Sequence, residues 1–412
     1  MNKTWKIVIA IVAVLAIAAG VCALCGVFTP KTVEEKVEET VATVEEKVEE
    51  VVEAVEEKVE EAAPAEETAA ATLSVAMITD YGDITDQSFN QTTYEACKAF
   101  CEAQGLQFTY YKPAGDSDAE RVAAIEKAID DGFTALVMPG YAFGGAISQT
   151  VNTYPDVKFI GLDISAGDLT LETIPANLYC AVYQEELCGY MAGYAAVKLG
   201  YKHLGFLGGM AVPAVVRYGY GFVQGANAAA AADSLTDVVV EYVYGNQFYG
   251  DADITAYMDN WYQTLGVEVV FACGGGIYNS AAEAAAKVNG KVIGVDVDQS
   301  GIIDSTYGAG MTVTSAMKGL AATVNTVLAN VQNGTFEGGK IDNLGLVSAV
   351  PAENYVQIPT TTQFVEGKFT NADYEALVAD MFAGKVTVSN DTTATAASFG
   401  TAVAVNEYGN IK

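Results

Sequence analysis

The stretch LSVAMITDYGDITDQSFNQ, residues 73–91, runs from a mainly apolar segment, Leu73 to Thr79 with Val75–Ile78 continuous, through a turn rich in Asp, Gly and Thr into the start of a helical pattern over about 88–104. A strand without polar alternation is buried on both faces, the habit of parallel sheets covered by helices on either side. The same step recurs downstream. Candidate strands at Gln107–Tyr111, Ala135–Met138 and Lys158–Leu162 are separated by helical stretches at about 118–130 and 143–153. After a helix at about 184–199 a second series begins, with strands His203–Gly208, Val238–Tyr244, Val267–Ala272 and Lys291–Val295 and helices at about 213–231, 252–264 and 277–288. Two such series in one chain predict an α/β fold of two doubly wound parallel-sheet lobes. A helix over 315–332, a short strand near Leu344–Val350 and a last helix near 371–384 remain to be shared between them.

Toward the N-terminus the composition changes twice. Residues 31–72 read as an acidic stalk and linker, in which VEEKVEE begins at Val33, Val44 and Val55, a period of 11 that lays valines along one narrow helical stripe. Between residues 31 and 67 there are 15 Glu and 4 Lys, so self-repulsion favours an extended segment over a globule. A solvated spacer and a right-handed coiled coil both fit. Residues 1–30 read as a targeting element: Lys3 and Lys6 precede 22 uncharged residues, Ile7 to Phe28, long enough as a helix to cross a hydrocarbon core of ~30 Å. Basic residues before the run and acidic ones after it put the remainder of the chain outside the cytoplasm. An uncleaved anchor, lipidation of Cys22 or Cys25 after cleavage, and plain secretion are the alternatives; Val21 and Leu24 stand where a small residue would precede a lipidated cysteine.

Charge and side-chain inventory narrow the chemistry. With 52 acidic against 21 basic residues in 412, the net charge of -31 repels phosphate backbones, so nucleic acid is not an expected partner. The single histidine, His203, removes most Ser-His-Asp, Cys-His and histidine-metal chemistry, and neither a metal nor a cofactor is expected. An enzyme built on this chain would have to work with carboxylates, lysine or tyrosine. Of the seven cysteines, Cys97 and Cys101 share one helical face as buried thiols, Cys180 and Cys188 fall near a passage between the lobes, and Cys273 precedes a glycine turn.

Ligands of open parallel sheets bind outside the carboxyl ends of the strands. Those ends carry Asp80, Asp163, Gly208, Gly274, Asp296 and Asp298. Carboxylates there accept hydrogen bonds from a neutral, hydroxyl-rich ligand and repel an acidic one. For Asp80, Asp83 and Asp86 the helix N-cap is the competing role. The glycine turns at 208–209 and 274–276 do not supply G-x-G-x-x-G after a first strand, so a dinucleotide loop is not expected.

The strings MITDYGDITDQSFNQ, FIGLD, GFLGGMAVPAVVRYGYGFVQG, GNQFYGDAD, GVDVDQ and TSAMKG, in this order across about residues 73–390, resemble the BMP (basic membrane protein) family, purine-nucleoside-binding lipoproteins that feed ABC importers. The resemblance implies a periplasmic-binding-protein fold, type I-like, with three interlobe crossings, lobe 1 taking about 73–180 plus 299–340 and lobe 2 about 181–298 plus 341–412. It implies crossings near Cys180–Tyr183, Asp298–Gly301 and Asp342–Leu346, and lobes that come together around the ligand. By motif, Phe89 and Phe248 would sandwich the purine, Asp163 would read the base edge with Asp80 and Asn90 beside it, and Gly274, Asp296 and Lys318 would hold the ribose, with Asp298 as the alternative to Asp296. The family role is capture of a nucleoside for ABC permease subunits on the outer face of the cell membrane, by a monomeric module with no catalytic residue. A signalling receptor of the same fold and a nucleoside-cleaving enzyme are the readings from other classes. The segment TDYGDITD departs from the family, where a Gly-Gly turn is commoner, which bears on the cleft around Tyr81.

Overall fold

Each apolar run of the sequence becomes a central strand in the computed structural model, which describes residues 73–80 and 82–412. The expected anchor at 1–30, the stalk at 31–72, Cys22, Cys25 and Tyr81 lie outside the described residues. The first half runs β1 (Ser74–Ile78), α1 (Phe89–Gln104), β2 (Gln107–Tyr111), α2 (Asp118–Asp130), β3 (Ala135–Pro139), α3 (Gly144–Thr150), β4 (Lys158–Leu162) and β5 (Leu178–Tyr183). The second begins with α4 (Glu185–Leu199), β6 (His203–Gly208), α5 (Pro213–Ala232), β7 (Val239–Tyr244), α6 (Ala252–Asn260), β8 (Val269–Cys273), α7 (Tyr278–Ala286), β9 (Lys291–Asp296), α8 (Ser300–Tyr307) and β10 (Thr312–Lys318). It is followed by α9 (Leu320–Gln332), β11 (Lys340–Leu344), β12 (Val356–Gln357), α10 (Asn371–Phe382) and β13 (Ala404–Asn410).

Two sheets result, one ordered β11-β5-β4-β3-β1-β2 and the other β12-β10-β9-β8-β6-β7-β13. All pairings are parallel except that of β12 with β10. In both sheets the order reverses beside the first strand, between β1 and β3 and between β6 and β8, which is where a doubly wound sheet opens a crevice. Val75, Ala76, Met77 and Ile78 of β1 are fully buried, as a strand covered on both faces requires. Among the described residues no helix is long and apolar enough to cross a membrane.

The chain passes between the lobes three times, but not everywhere the sequence suggested. The first passage follows Tyr183, where β5 ends and α4 goes on to pack against α5. The second was expected near Asp298–Gly301 and lies instead at Lys318–Leu320, because residues 312–318 are a strand of the second sheet and not the start of a helix. Thr312, Val313 and Thr314 are β-branched and buried, and the strand they begin runs on beside β9 through Ser315, Ala316 and Met317, which a helix over 315–332 would have withdrawn from that pairing. After this passage α9 returns to the first lobe, packing against α1. The strand expected near Leu344–Val350 is β11, four residues earlier, and it pairs with β5 in the first sheet. Residues 299–318 therefore leave the expected first lobe and β11 leaves the expected second one. The third passage follows Leu344. The C-terminal strand β13, which no sequence pattern announced, extends the second sheet beside β7.

Candidate functional site

The crevices of the two sheets meet in one cavity with an empty volume of ≈ 880 Å³, open solvent included, within the range of small-molecule sites. Its walls come from strand ends. Asp80 follows β1, Gly140 follows β3 and Asp163 follows β4; from the other lobe come Gly274 after β8, Asp296 at the end of β9 and Lys318 at the end of β10. Phe89 opens α1, and Phe248 sits on the loop after β7. All eight residues expected at the site, Asp80, Phe89, Asn90, Asp163, Phe248, Gly274, Asp296 and Lys318, line this cavity.

Lys318 is the centre of the charge pattern. Its Nζ donates to Asp163 Oδ2 and lies 3.6 Å from Asp296 Oδ1 and 3.7 Å from Glu185 Oε1. The ring of Phe89 is 4.6 Å away, centroid to Nζ, near enough for a cation-π contact. Burial alone would depress the ammonium, but Asp163, Asp296 and Glu185 outweigh it and hold the lysine well above its usual value, so it stays charged. Asp163 and Asp296 occupy the same place in their respective lobes, and both adopt left-handed backbone, with φ of 58° and 64°. Aspartate tolerates that region better than most residues, and strain of this kind gathers at sites.

Several acceptors in and around the cleft are left waiting. Asp163 Oδ1 and Glu185 Oε1 are buried without a hydrogen-bond partner among the described residues. An unpaired buried acceptor costs about 1–3 kcal/mol, which a donor on a ligand can recover. Burial pushes the Asp163 carboxyl up against the opposing pull of Lys318. Asp80 is raised to about 6 by burial, in spite of donors from Gly82 N–H and Asn90 Nδ2, each 2.8 Å from its Oδ1. Asn90 is thereby an orienting partner of Asp80 as well as a wall of the cavity.

The apolar plates have a glycine seat. A Cβ on Gly209 would stand 2.5 Å from Cδ1 of Phe248, and one on Gly274 would stand 3.0 Å from the same atom. Glycine at both positions lets the ring lie flat against backbone. Cys273, also in the wall, has its thiol pushed well above the ordinary value by burial, which removes it as a nucleophile.

Other aspartates turn out otherwise. Asp298 does not line the cavity and accepts from Ser300 N–H at 3.0 Å and Thr361 Oγ1 at 2.7 Å, so of the two it is Asp296 that forms the wall. Asp83 pairs with Lys112 at the surface, 2.9 Å apart. Asp86 caps α1 through the N–H groups of Ser88, Asn90 and Gln91 at 2.9–3.0 Å, the N-cap role held open for it, while also touching the cavity. The cysteines at 97, 101, 180, 188 and 273 are all buried and free.

Sequence reasoning missed Arg217 and Tyr218, which line the cavity from α5, and Glu185 behind them. Arg217 Nε donates to Glu185 Oε2 at 2.7 Å. The signal was present, since an arginine in the apolar string AVPAVVRYGYGF of so acidic a chain needs a buried carboxylate. It also missed two bonds across the cleft: Ser88 Oγ to Asp296 Oδ2 at 2.6 Å and Gln299 Nε2 to the carbonyl of Gln87 at 3.1 Å.

A family model described as Bmp, ABC transporter substrate-binding protein PnrA-like, matches residues 73–370. The ABC transporter nucleoside-binding protein BmpA of Lactococcus lactis is 25% identical over 324 residues, covering 72% of this chain and 88% of that protein. Among solved structures, an ABC transporter solute-binding protein from Aeropyrum pernix superposes with a TM-score of 0.60 at 22% identity, over 80% of this chain and 90% of that one. A solute-binding protein from Conexibacter woesei gives 0.59 at 22% identity, over 77% and 99%. These two share the two-lobed periplasmic-binding-protein type I-like fold.

Proposed function

Since the chain belongs to the Bmp family of PnrA-like ABC transporter substrate-binding proteins, we propose that it captures a purine nucleoside of the guanosine, inosine or adenosine class in this cleft and delivers it to an ABC permease, without chemistry of its own. The observation that carries the reading is the pair Phe89 and Phe248, one from each lobe, in the wall of a single cavity that also holds a buried, unsatisfied carboxylate oxygen, Asp163 Oδ1. Two aromatic faces suit a flat base, each stack contributing about 1–3 kcal/mol. Asp163, with Asp80 and Asn90, then accepts from or orients the base edge. Asp296 accepts from ribose hydroxyls, the charged Lys318 donates to a ribose oxygen, and Gly274 lets the sugar approach backbone. The excess of carboxylates over cations in the walls disfavours phosphorylated ligands. Delivery on the outer face of the cell membrane, through an N-terminal anchor or a lipid on Cys22 or Cys25, belongs to the same reading.

A thermal-shift screen of the full chain in detergent tests it. Guanosine, inosine or adenosine at 100 times its dissociation constant should add about 2.7 kcal/mol of stability, while free ribose does little. Stabilisation by pentoses and not by nucleosides would overturn the purine assignment. Free base released from guanosine on incubation would instead make the protein an enzyme.

A further inference from the structure

Neither Ser88 nor Gln299 lines the cavity, yet each reaches across from one lobe to the other. Ser88 stands at the N-cap of α1, but its hydroxyl caps nothing there. It is fully buried and donates instead to Asp296 Oδ2 in the second lobe, at 2.6 Å. Gln299, 1% exposed, works from the opposite side. Its Oε1 accepts from Val295 N–H at 2.9 Å, which fixes the carboxamide in its own lobe and aims Nε2 at the Gln87 carbonyl of the first. Gln87 in turn has left-handed backbone, with φ of 57°, the conformation that presents its carbonyl to that donor. The two bonds fall on the two residues that immediately precede Phe89.

We propose that Ser88 and Gln299 are positioning residues that hold the lobes closed and thereby set the affinity for every ligand of the cleft. A bond that exists only when the lobes are together adds to the closed population, and apparent affinity scales with the fraction of molecules able to close. Neither residue lines the cavity, so loss of either acts on all ligands by the same factor. The choice of probe rests on the nucleoside reading; the effect on closure does not.

The test uses Ser88→Ala and Gln299→Met in the full chain, with affinities and dissociation rates for guanosine, inosine and adenosine and the radius of gyration of ligand-free protein by small-angle scattering. Each variant is expected to weaken all three nucleosides about tenfold, chiefly through faster dissociation, and to expand the ligand-free protein relative to wild type. Gln299→Met removes no hydrogen bond to Asp296, whereas Ser88→Ala does, so the pair of variants separates closure from a change at that carboxylate. Unchanged affinity in both variants, or a loss confined to one nucleoside in both, overturns the proposal. So does a drop in melting temperature with affinity and radius intact, the outcome of a merely structural role. If wild type binds no nucleoside the functional reading fails, and the ligand-free radii still decide whether the latch exists.

Discussion

Asp80 follows β1 at the floor of the cleft with its carboxyl raised to about 6 by burial. The folded protein therefore holds this proton more tightly than the unfolded chain, whose aspartates titrate near 4. The resulting stability is present in full below about pH 4 and is lost as pH rises through about 6. Asp80→Asn keeps an acceptor for Gly82 and removes the buried charge, so it should raise stability by about 1–3 kcal/mol at pH 7.5 and leave it nearly unchanged near pH 4, as read by denaturant melts at the two pH values. Phe248 gives a second test. Its ring lines the cavity rather than the interior of either sheet, and Phe248→Ala should weaken nucleoside binding about tenfold or more with little loss of folding stability, measured by calorimetry and melting. Gly209→Ala should do the same by tilting the ring, because the new methyl would lie 2.5 Å from Cδ1. Wild-type affinity in both variants would make the ring a bystander.

At the scale of elements, the pairing of α4 with α5 sets how the second lobe presents Arg217, Tyr218 and Glu185. Both helices carry glycines four apart, Gly189 and Gly193 on α4, Gly221 and Gly225 on α5. A Cβ on Gly193 would stand 2.1 Å from the carbonyl oxygen of Phe222, and one on Gly225 would stand 2.0 Å from that of Tyr190. Backbone meets backbone here, so there is no flexible side chain to yield. Gly225→Val should cost at least about 1–3 kcal/mol in urea unfolding, the range for overpacking, and a neutral result would mean the helices can separate. The strand β10 makes a different point. Its string TVTSAMK ends in residues of good helix propensity, which invited a helix; the edge of β9 needed a partner, and tertiary pairing overrode local preference. That strand carries Lys318 to the cleft, so the misread element is the one that delivers the central cation. Lys318 itself was legible only because the motif around it resembles the family.

For the whole molecule, residues of both lobes meet in one cavity. Asp163 and Asp296, from opposite lobes, converge on one lysine, and Ser88 of the first lobe bonds to Asp296 of the second. Asp296→Ala removes that bond and a proposed ligand contact together, so the variant should bind nucleoside weakly and scatter with a larger radius of gyration than wild type. A normal radius with normal affinity would show that Asp296 carries neither role.

The sequence alone determined the α/β class, the two series of buried strands and the gathering of carboxylates and glycines at their carboxyl ends, because strand burial and turn chemistry are written locally in residues such as Val75–Ile78, Asp163 and Gly274. Through motif resemblance it also named eight of the residues that line the cavity, though not Arg217 or Tyr218. Only the tertiary structure decided which sheet takes β10 and β11, that Asp296 and not Asp298 lines the cavity, and that Arg217 answers Glu185. It alone disclosed the bonds from Ser88 and Gln299, which join residues 208 and 212 positions apart. Edge-strand membership, side-chain direction and long-range pairing depend on what the rest of the chain brings alongside, and no local pattern of residues encodes that.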